Sequence, residues 1–310
     1  MKPAVERVLV TGGAGFVGSH LTRRLLAEGV SVRVVDDCSN GDADQVPDAA
    51  ELVETDLREP DALDGLLSDV DLVAHLAASK HVDTDRPYRQ FHDNTRMTRT
   101  VLEAMADADV SALLYTSSST VYGEAPRPTP EDYAPLEPIS AYGASKLADE
   151  SLLSASAHTQ DLTVWNVRFA NVVGPRLRGA VIPDFIEKLR ADPETLTILG
   201  DGRQEKSYLH VEDCLDAIEH VVSHTDAPIN TFNLGTRTTT SVDRIAAIVA
   251  DEMGLDPAFE YTGGDRGWTG DVPKMRLSIE KLSALGWEPD RSSDEAVRTA
   301  TRELLDEVRE

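Results

Sequence analysis

The 310-residue sequence predicts a doubly wound α/β fold, a parallel sheet covered on both faces by helices, with a smaller α/β domain attached. Three observations carry that expectation. Short, nearly all-apolar runs alternate with longer amphipathic ones, as strands buried on both faces alternate with their covering helices. Glycines spaced three apart stand where the first such run passes into a helical pattern. Finally, 41% hydrophobic residues over this length supply one large core or two smaller ones, which excludes disordered, collagen-like and peptide-scaffold classes.

Residues 7–10 read as the first strand, and the helix of about 15–28 that follows carries the apolar stripe Phe16, Leu21, Leu25. Strands are expected at 32–35, 52–54 and 71–76, then a helix over 89–108, a strand at 112–116, a helix over 141–157 and a strand at 162–168. Right-handed crossovers between them give the doubly wound sheet. After Gly174-Pro175 the alternation stops, and glycine and proline become frequent between Pro183 and Gly202. Asp213 is expected to cap a helix through Val222, and 231–234 to add a strand. The chain is therefore expected to divide into one domain of 1–170 with 210–236 and a second of 171–209 with 237–310.

The formal charge is −25, from 30 lysines and arginines against 55 aspartates and glutamates. Such a surface repels nucleic acid and anionic membranes. Lysines are confined to Lys2, Lys80, Lys146, Lys188, Lys206, Lys274 and Lys281, the other cations being arginines, a balance like that of proteins from salt-loving microbes. An ordinary acidic protein is the alternative; the scatter of acids among apolar positions favours the first reading, in which folding needs molar salt. Cys38 and Cys214 are too few for a disulfide framework or a metal cage, and His75, His81 and His210 show no metal spacing. The expected location is a reducing cytoplasm, since no apolar signal core and no run approaching 18 apolar residues is present.

The first strand ends in Thr11-Gly12-Gly13-Ala14-Gly15-Phe16-Val17-Gly18. Without side chains at 12, 15 and 18 the backbone turns tightly, brings amide groups against a pyrophosphate and lets the helix pack close to the strand. Spaced glycines alone also fit a merely structural turn. Asp36 stands just past the second strand, where a dinucleotide site places an acid on the adenosine ribose. A 2′-phosphate would meet Asp36 and Asp37 with no arginine directly after them, so electrostatics favour NAD over NADP. Asp56, after the third strand, similarly suits the adenine amino group; a surface acid is the alternative at both positions.

Tyr142 and Lys146 are four residues apart and share a helical face. That pair alone is close to noise, but Ser118 lies in Ser117-Ser118-Ser119-Thr120-Val121-Tyr122-Gly123 at the carboxyl end of the fifth strand, where ligands of an open parallel sheet collect.

Together these residues resemble the extended short-chain dehydrogenases/reductases, in particular the sugar-nucleotide epimerases and dehydratases. The resemblance covers most of the chain. It includes the glycine loop, Asp36, Asp56-Leu57, Leu76-Ala77-Ala78, Asn94, the serine run, Tyr142 with Lys146, residues 168–175 and Tyr208-Leu209-His210-Val211-Glu212-Asp213. It implies that the first domain binds NAD and the second a sugar nucleotide. Tyr142 is implied as catalytic base, Lys146 as its electrostatic partner and ribose anchor, and Ser118 as the hydroxyl holding the reacting sugar oxygen. The implied cofactor site comprises Gly12, Gly15, Phe16, Val17, Gly18, Asp36, Asn40, Asp56, Leu57, Leu76, Ala77, Ala78, Asn94, Ser117, Tyr142, Lys146 and Phe169. The implied substrate site comprises Ser118, Ser119, Tyr142, Asn171, Arg176, Val181, Lys206 and Arg266, with Arg178 a further candidate cation and His81 a candidate lining residue. Asn94 is expected to bond backbone near the cofactor, with helix-start capping an equal reading.

A tyrosine near 10 reaches about 7 only with roughly 4 kcal/mol of differential stabilisation. One cation about 4 Å away at an effective dielectric near 20 offers that much. Lys146 is expected to supply most of the shift and oxidised nicotinamide the rest. Relatives that eliminate water or remove carboxylate carry an acid just after the catalytic hydroxyl, whereas Ser119 and Thr120 stand here, so epimerisation at carbon 4 of a UDP-sugar is the expected reaction. Dehydration, decarboxylation or net oxidoreduction on the same scaffold, and a non-catalytic NAD-sensing role, are the alternatives. Lys206 stands where many relatives have arginine, removing a bidentate phosphate fork, and the segment from Arg266 to Asp271 is longer than the family's usual motif. The resemblance also implies a homodimer through the helices beginning near 89 and 141.

Overall fold

In a computed structural model, which describes residues 5–80, 86, 88–267 and 270–307, the chain runs β1 (Arg7–Thr11), α1 (Phe16–Ala27), β2 (Ser31–Asp36), β3 (Glu51–Glu54), β4 (Leu72–His75), α2 (Arg89–Asp107), β5 (Ala112–Ser118), α3 (Ala141–Thr159) and β6 (Thr163–Phe169). It continues through β7 (Asn171–Val173), α4 (Val181–Ala191), β8 (Thr195–Ile198), β9 (Glu205–Lys206), β10 (Tyr208–His210), α5 (Val211–His224), β11 (Ile229–Leu234), β12 (Thr240–Ser241), α6 (Val242–Met253), β13 (Ala258–Tyr261), β14 (Lys274–Met275), α7 (Glu280–Ser283) and α8 (Ser293–Glu307).

Seven strands form one sheet in the order β11-β6-β5-β4-β1-β2-β3. β1 pairs in parallel with β2 on one side and β4 on the other, in register Thr11 with Val35 and Thr11 with His75. The strand order reverses between β1 and β4, so the crevice of a doubly wound sheet opens at their carboxyl ends. Val8, Leu9 and Val10 are all fully buried, as the unbroken apolar run requires. Leu9, Val35, Val73, Leu113 and Val164 from the strands pack with Val101 and Met105 of α2 and Leu153 of α3. Among the described residues, no helix is long and apolar enough to cross a membrane.

The chain forms two compact units: residues 1–121, 141–167 and 221–231, and residues 122–140, 168–220 and 232–310. This division differs from the expected boundaries mainly in two stretches. Residues 122–140 group with the second unit, where the Tyr122 hydroxyl donates to Asn233 Oδ1 at 2.8 Å and Thr129 N donates to the Arg276 carbonyl at 2.9 Å. Residues 210–220 do so through His210 with Glu303, Asp213 with Arg291 and His220 with the Leu285 carbonyl. Asp213 is therefore not the cap expected of it: α5 begins at Val211, and Asp213 sits in its first turn as Arg291's partner.

Candidate active site

The glycine loop lies at the carboxyl end of β1. Gly12 has φ +73°, a conformation that favours glycine, and a Cβ there would come within 2.7 Å of the Ala77 amide nitrogen. That close approach lets Leu76 N donate to the Thr11 carbonyl and Ala77 N to Thr11 Oγ1. A Cβ on Gly18 would stand 2.1 Å from the Gly12 carbonyl oxygen, so only glycine allows α1 to start against the loop. Helix α1 opens at Gly15 with no side-chain cap and no acid in its first turn. The amides of Phe16 and Val17 are thus the uncapped donors of a positive helix end, the arrangement a pyrophosphate requires.

Asp36 closes this cradle. Its Oδ2 accepts from Ala14 N and its Oδ1 from Cys38 N, each at 2.9 Å, leaving lone pairs on both oxygens for ribose hydroxyls. Burial pushes its pKa up, against these two amide bonds. Asn40 Nδ2 donates to Ser39 Oγ in the same loop. Asp56 is held by Arg58, whose guanidinium takes both carboxylate oxygens, reaches Asp93 and stands 3.8 Å from Asp37. Arg58's hydrogen bond holds the Asp56 carboxyl below its ordinary range. An arginine therefore does reach Asp37, from beyond β3, although it is already bound to acids. Leu57 packs its side chain into the core, so any part it plays at the cofactor falls to its main chain.

The carbonyl and amide of Ser79, just past Ala78, are taken by the buried Asn94: Oδ1 accepts from Ser79 N at 2.7 Å and Nδ2 donates to Ser79 O and to Ser145 Oγ. Asn94 lies inside α2, which starts at Arg89, so it ties backbone at the crevice to α3 and caps nothing. Ser145 in turn donates to the Tyr142 carbonyl. Lys146, 2% exposed, donates from Nζ to the Thr116 carbonyl at 2.7 Å and lies 5.8 Å from the centre of the Tyr142 ring. Two residues beyond Thr116, Ser118 Oγ accepts from Thr120 N and Thr120 Oγ1, and Ser117 Oγ is bound to Glu150. The half-buried Ser118 therefore shares the end of β5 with the strand carbonyl that anchors Lys146.

The electrostatics differ from the expected balance. Tyr142 is pushed up to about 12, by burial first and by the charge of Asp149 second, while Lys146 is pushed down to about 8, chiefly by burial. The protein's own groups do not bring the phenol toward neutrality, because the site that buries it also weakens the nearby ammonium.

In the second unit, Phe169 ends β6 and Asn171 pairs with Tyr208 in the β7/β10 ladder. Arg176 has φ +66° and donates from its main-chain N to Glu307, whose other oxygen takes the Arg178 guanidinium at 3.2 Å. Val181 opens α4. Lys206 is bound to the buried carboxylate of Asp271, and Arg266 to Glu124 and to the Asp271 carbonyl. Gly267 N also donates to the Asp271 carboxylate. Arg178, Lys206 and Arg266 all hold acids that no local pattern linked to them. His81 lies outside the described residues, as do Trp268 and Thr269. His75 is buried between Thr11 and Thr98, and His210 pairs with Glu303.

A family model described as the NAD dependent epimerase/dehydratase family matches residues 8–235. The UDP-glucose 4-epimerase of Mycolicibacterium smegmatis is 34% identical, over 94% of this chain and 96% of that protein. The low-salt glycan biosynthesis protein Agl12 of Haloferax volcanii is 31% identical over the same shares. A crystal structure of a UDP-galactose 4-epimerase superposes with a TM-score of 0.89 at 40% identity, covering 97% of this chain and 99% of that one.

Proposed function

The chain belongs to the NAD dependent epimerase/dehydratase family, whose cofactor is NAD, and from that premise we propose that it inverts carbon 4 of a UDP-sugar of the glucose/galactose type through a transient 4-keto sugar. The observation that carries this reading is the neighbourhood of Ser118: the residues that follow it are Ser119 and Thr120, and Thr120 donates to Ser118 Oγ from its main-chain N and, at 3.0 Å, from its hydroxyl. On α3, one carboxylate oxygen of Asp149 accepts from Tyr115 and one of Glu150 from Ser117. Elimination of water needs a group able to protonate the departing hydroxyl. A pair that only takes and returns one hydroxyl proton suits epimerisation.

In this mechanism Gly12, Gly15, Phe16, Val17, Gly18 and Asp36 hold the cofactor's pyrophosphate and ribose, and Asp56, Asn94 and Lys146 complete its site. Bound NAD supplies the acceptor and donor of hydride at carbon 4 and, when oxidised, a positive charge that favours the phenolate. Tyr142 removes the proton of the 4-hydroxyl and later returns it, Ser118 keeps the sugar oxygen within reach, and Lys146 stabilises the phenolate. Arg178, Lys206 and Arg266, joined by Asn171, Arg176 and Val181, receive the nucleotide diphosphate. Each of those three cations now holds a carboxylate, so diphosphate binding requires a partner exchange or a shared bond.

Anomeric proton NMR of the protein with NAD and either UDP-glucose or UDP-galactose tests the proposal, with N-acetyl, glucuronate and arabinose relatives in parallel. Interconversion of one pair without accumulation of NADH is expected. Tyr142→Phe is expected to abolish turnover and leave NAD binding nearly intact. Loss of water or carbon dioxide, or no conversion of any sugar with NAD bound in high salt, contradicts the reading.

A further inference from the structure

Tyr142, Lys146 and Asp149 occupy positions i, i+4 and i+7 of α3 and therefore one stripe of the helix. The mechanism above uses the first two. Asp149 is 1% exposed, and burying a carboxylate is costly unless it is partnered. Its Oδ2 accepts from the Tyr115 hydroxyl at 2.8 Å, and the Thr98 hydroxyl lies against the same carboxyl. Its Oδ1 is buried with no hydrogen-bond partner among the described residues. One turn further on, the equally buried stripe position is the apolar Leu153, so packing alone does not ask for an acid here.

Tyr115 joins the acid to the reacting groups. Its ring carries Lys146 Nζ at 4.6 Å from the centroid while its hydroxyl holds Asp149. One side chain thus fixes the carboxylate at a set place relative to the ammonium. Resting on the roles assigned above to Tyr142 and Lys146, we propose that Asp149 is a positioning residue of this site, a carboxylate anchored by Tyr115 that keeps Lys146 charged and sets the pH window in which Lys146 and Tyr142 act together.

Among the described residues, the titratable groups around Asp149 are few. On α3 they are Tyr142, Lys146 and Glu150, and on β5 Tyr115. From β4 comes His75, its ring 5.7 Å from that of Tyr115 and its pKa pushed down to about 3 by burial and then by Lys146, so it stays neutral. After β4, Lys80 opposes the charge on Lys146. α2 contributes Asn94 and Thr98, and its other buried side chains are uncharged. Asp149 is the largest influence raising Lys146 against burial, and its charge also raises Tyr142. Removing that charge moves both groups the same way, toward lower pH.

Asp149→Asn keeps the shape and removes the charge. In the full chain without added cofactor, the titration of Tyr142 is read as the phenolate absorbance of each protein minus that of its Tyr142→Phe counterpart. Its midpoint is expected to fall by on the order of one pH unit, tenfold in proton affinity, from Coulomb's law over the roughly 10 Å between i and i+7. With NAD and a UDP-sugar, both limbs of the rate–pH profile are expected to move down together. Tyr115→Phe keeps the ring under Lys146 but deprives Asp149 of its donor. It is expected to shift both in the same direction by less, and it carries the test if Asp149→Asn does not fold. An unmoved phenolate midpoint in the folded variant, or lower thermal stability with an unchanged pH profile, overturns the proposal. If no sugar nucleotide turns over, the phenolate titration still decides, so failure of the substrate reading is distinguishable from failure of this one.

Discussion

Replacing Gly18 by alanine probes whether the start of α1 is built for a ligand. An added Cβ would stand 2.1 Å from the Gly12 carbonyl oxygen and 2.8 Å from Gly13 Cα, where real contacts stay beyond 3.0 Å. The helix start must then move away from the loop by roughly 1 Å. Helix propensity returns about 1 kcal/mol for Gly→Ala, while overpacking of this kind costs about 1–3 kcal/mol. Because the added Cβ meets backbone, which cannot swing aside, the cost falls in the upper part of that range, and a net destabilisation of about 1–2 kcal/mol is expected in urea unfolding followed by circular dichroism. The binding effect is larger, because displacing the Phe16 and Val17 amides from a pyrophosphate removes charge-assisted hydrogen bonds worth about 1.5–3 kcal/mol each. Loss of one such bond weakens NAD roughly 10- to 150-fold in calorimetric titration. Gly29→Ala is the control: φ is +83° and nothing lies within 4 Å of the added Cβ, so it is expected to cost about 1–2 kcal/mol of strain and leave NAD affinity alone. A Gly18→Ala protein that binds NAD as the parent does, at the parent's stability, refutes the reasoning.

Arg58→Met is expected to remove a contribution on the order of 1 kcal/mol, discounted because the pair is about a third exposed. Asp56 has a depressed folded-state pKa, so this contribution is present above the ordinary carboxylate value and disappears as pH falls through the folded one. The difference in Tm between parent and variant should therefore shrink below about pH 4; a constant difference down to acid unfolding contradicts the assignment. With a formal charge of −25, the Tm is expected to rise steeply with KCl up to molar concentrations, and a Tm independent of KCl contradicts that expectation.

The first unit was legible because its signals are local. The strand-glycine-helix join at Thr11–Gly18, the apolar runs of β1, β2 and β5, and the Tyr142–Lys146 spacing each lie within one or two elements, and the structure differs from their expected ends by one or two residues. The second unit was not, since β7, β9, β10, β12 and β14 are two or three residues long and exist only through partners distant in sequence. The same limit hid the acids at the candidate diphosphate cations: Arg266 meets Glu124 across 142 positions, and Arg178 meets Glu307 across 129. Asp149 could have been found from its i+7 spacing, but a single acid on a helical stripe reads as a solvated face until burial is known. A Coulomb estimate between two side chains contains no desolvation, and here burial dominates both groups.

In the proposed reaction a hydride leaves carbon 4 and returns to the same carbon while Tyr142 handles only the hydroxyl proton. UDP-glucose carrying deuterium at carbon 4, incubated with the protein and NAD in ordinary water and analysed by NMR, tests this directly. UDP-galactose with the deuterium still on carbon 4 is expected. Product with hydrogen from solvent at that carbon would contradict the proposed reaction, because it would mean that a base removes the carbon-bound proton.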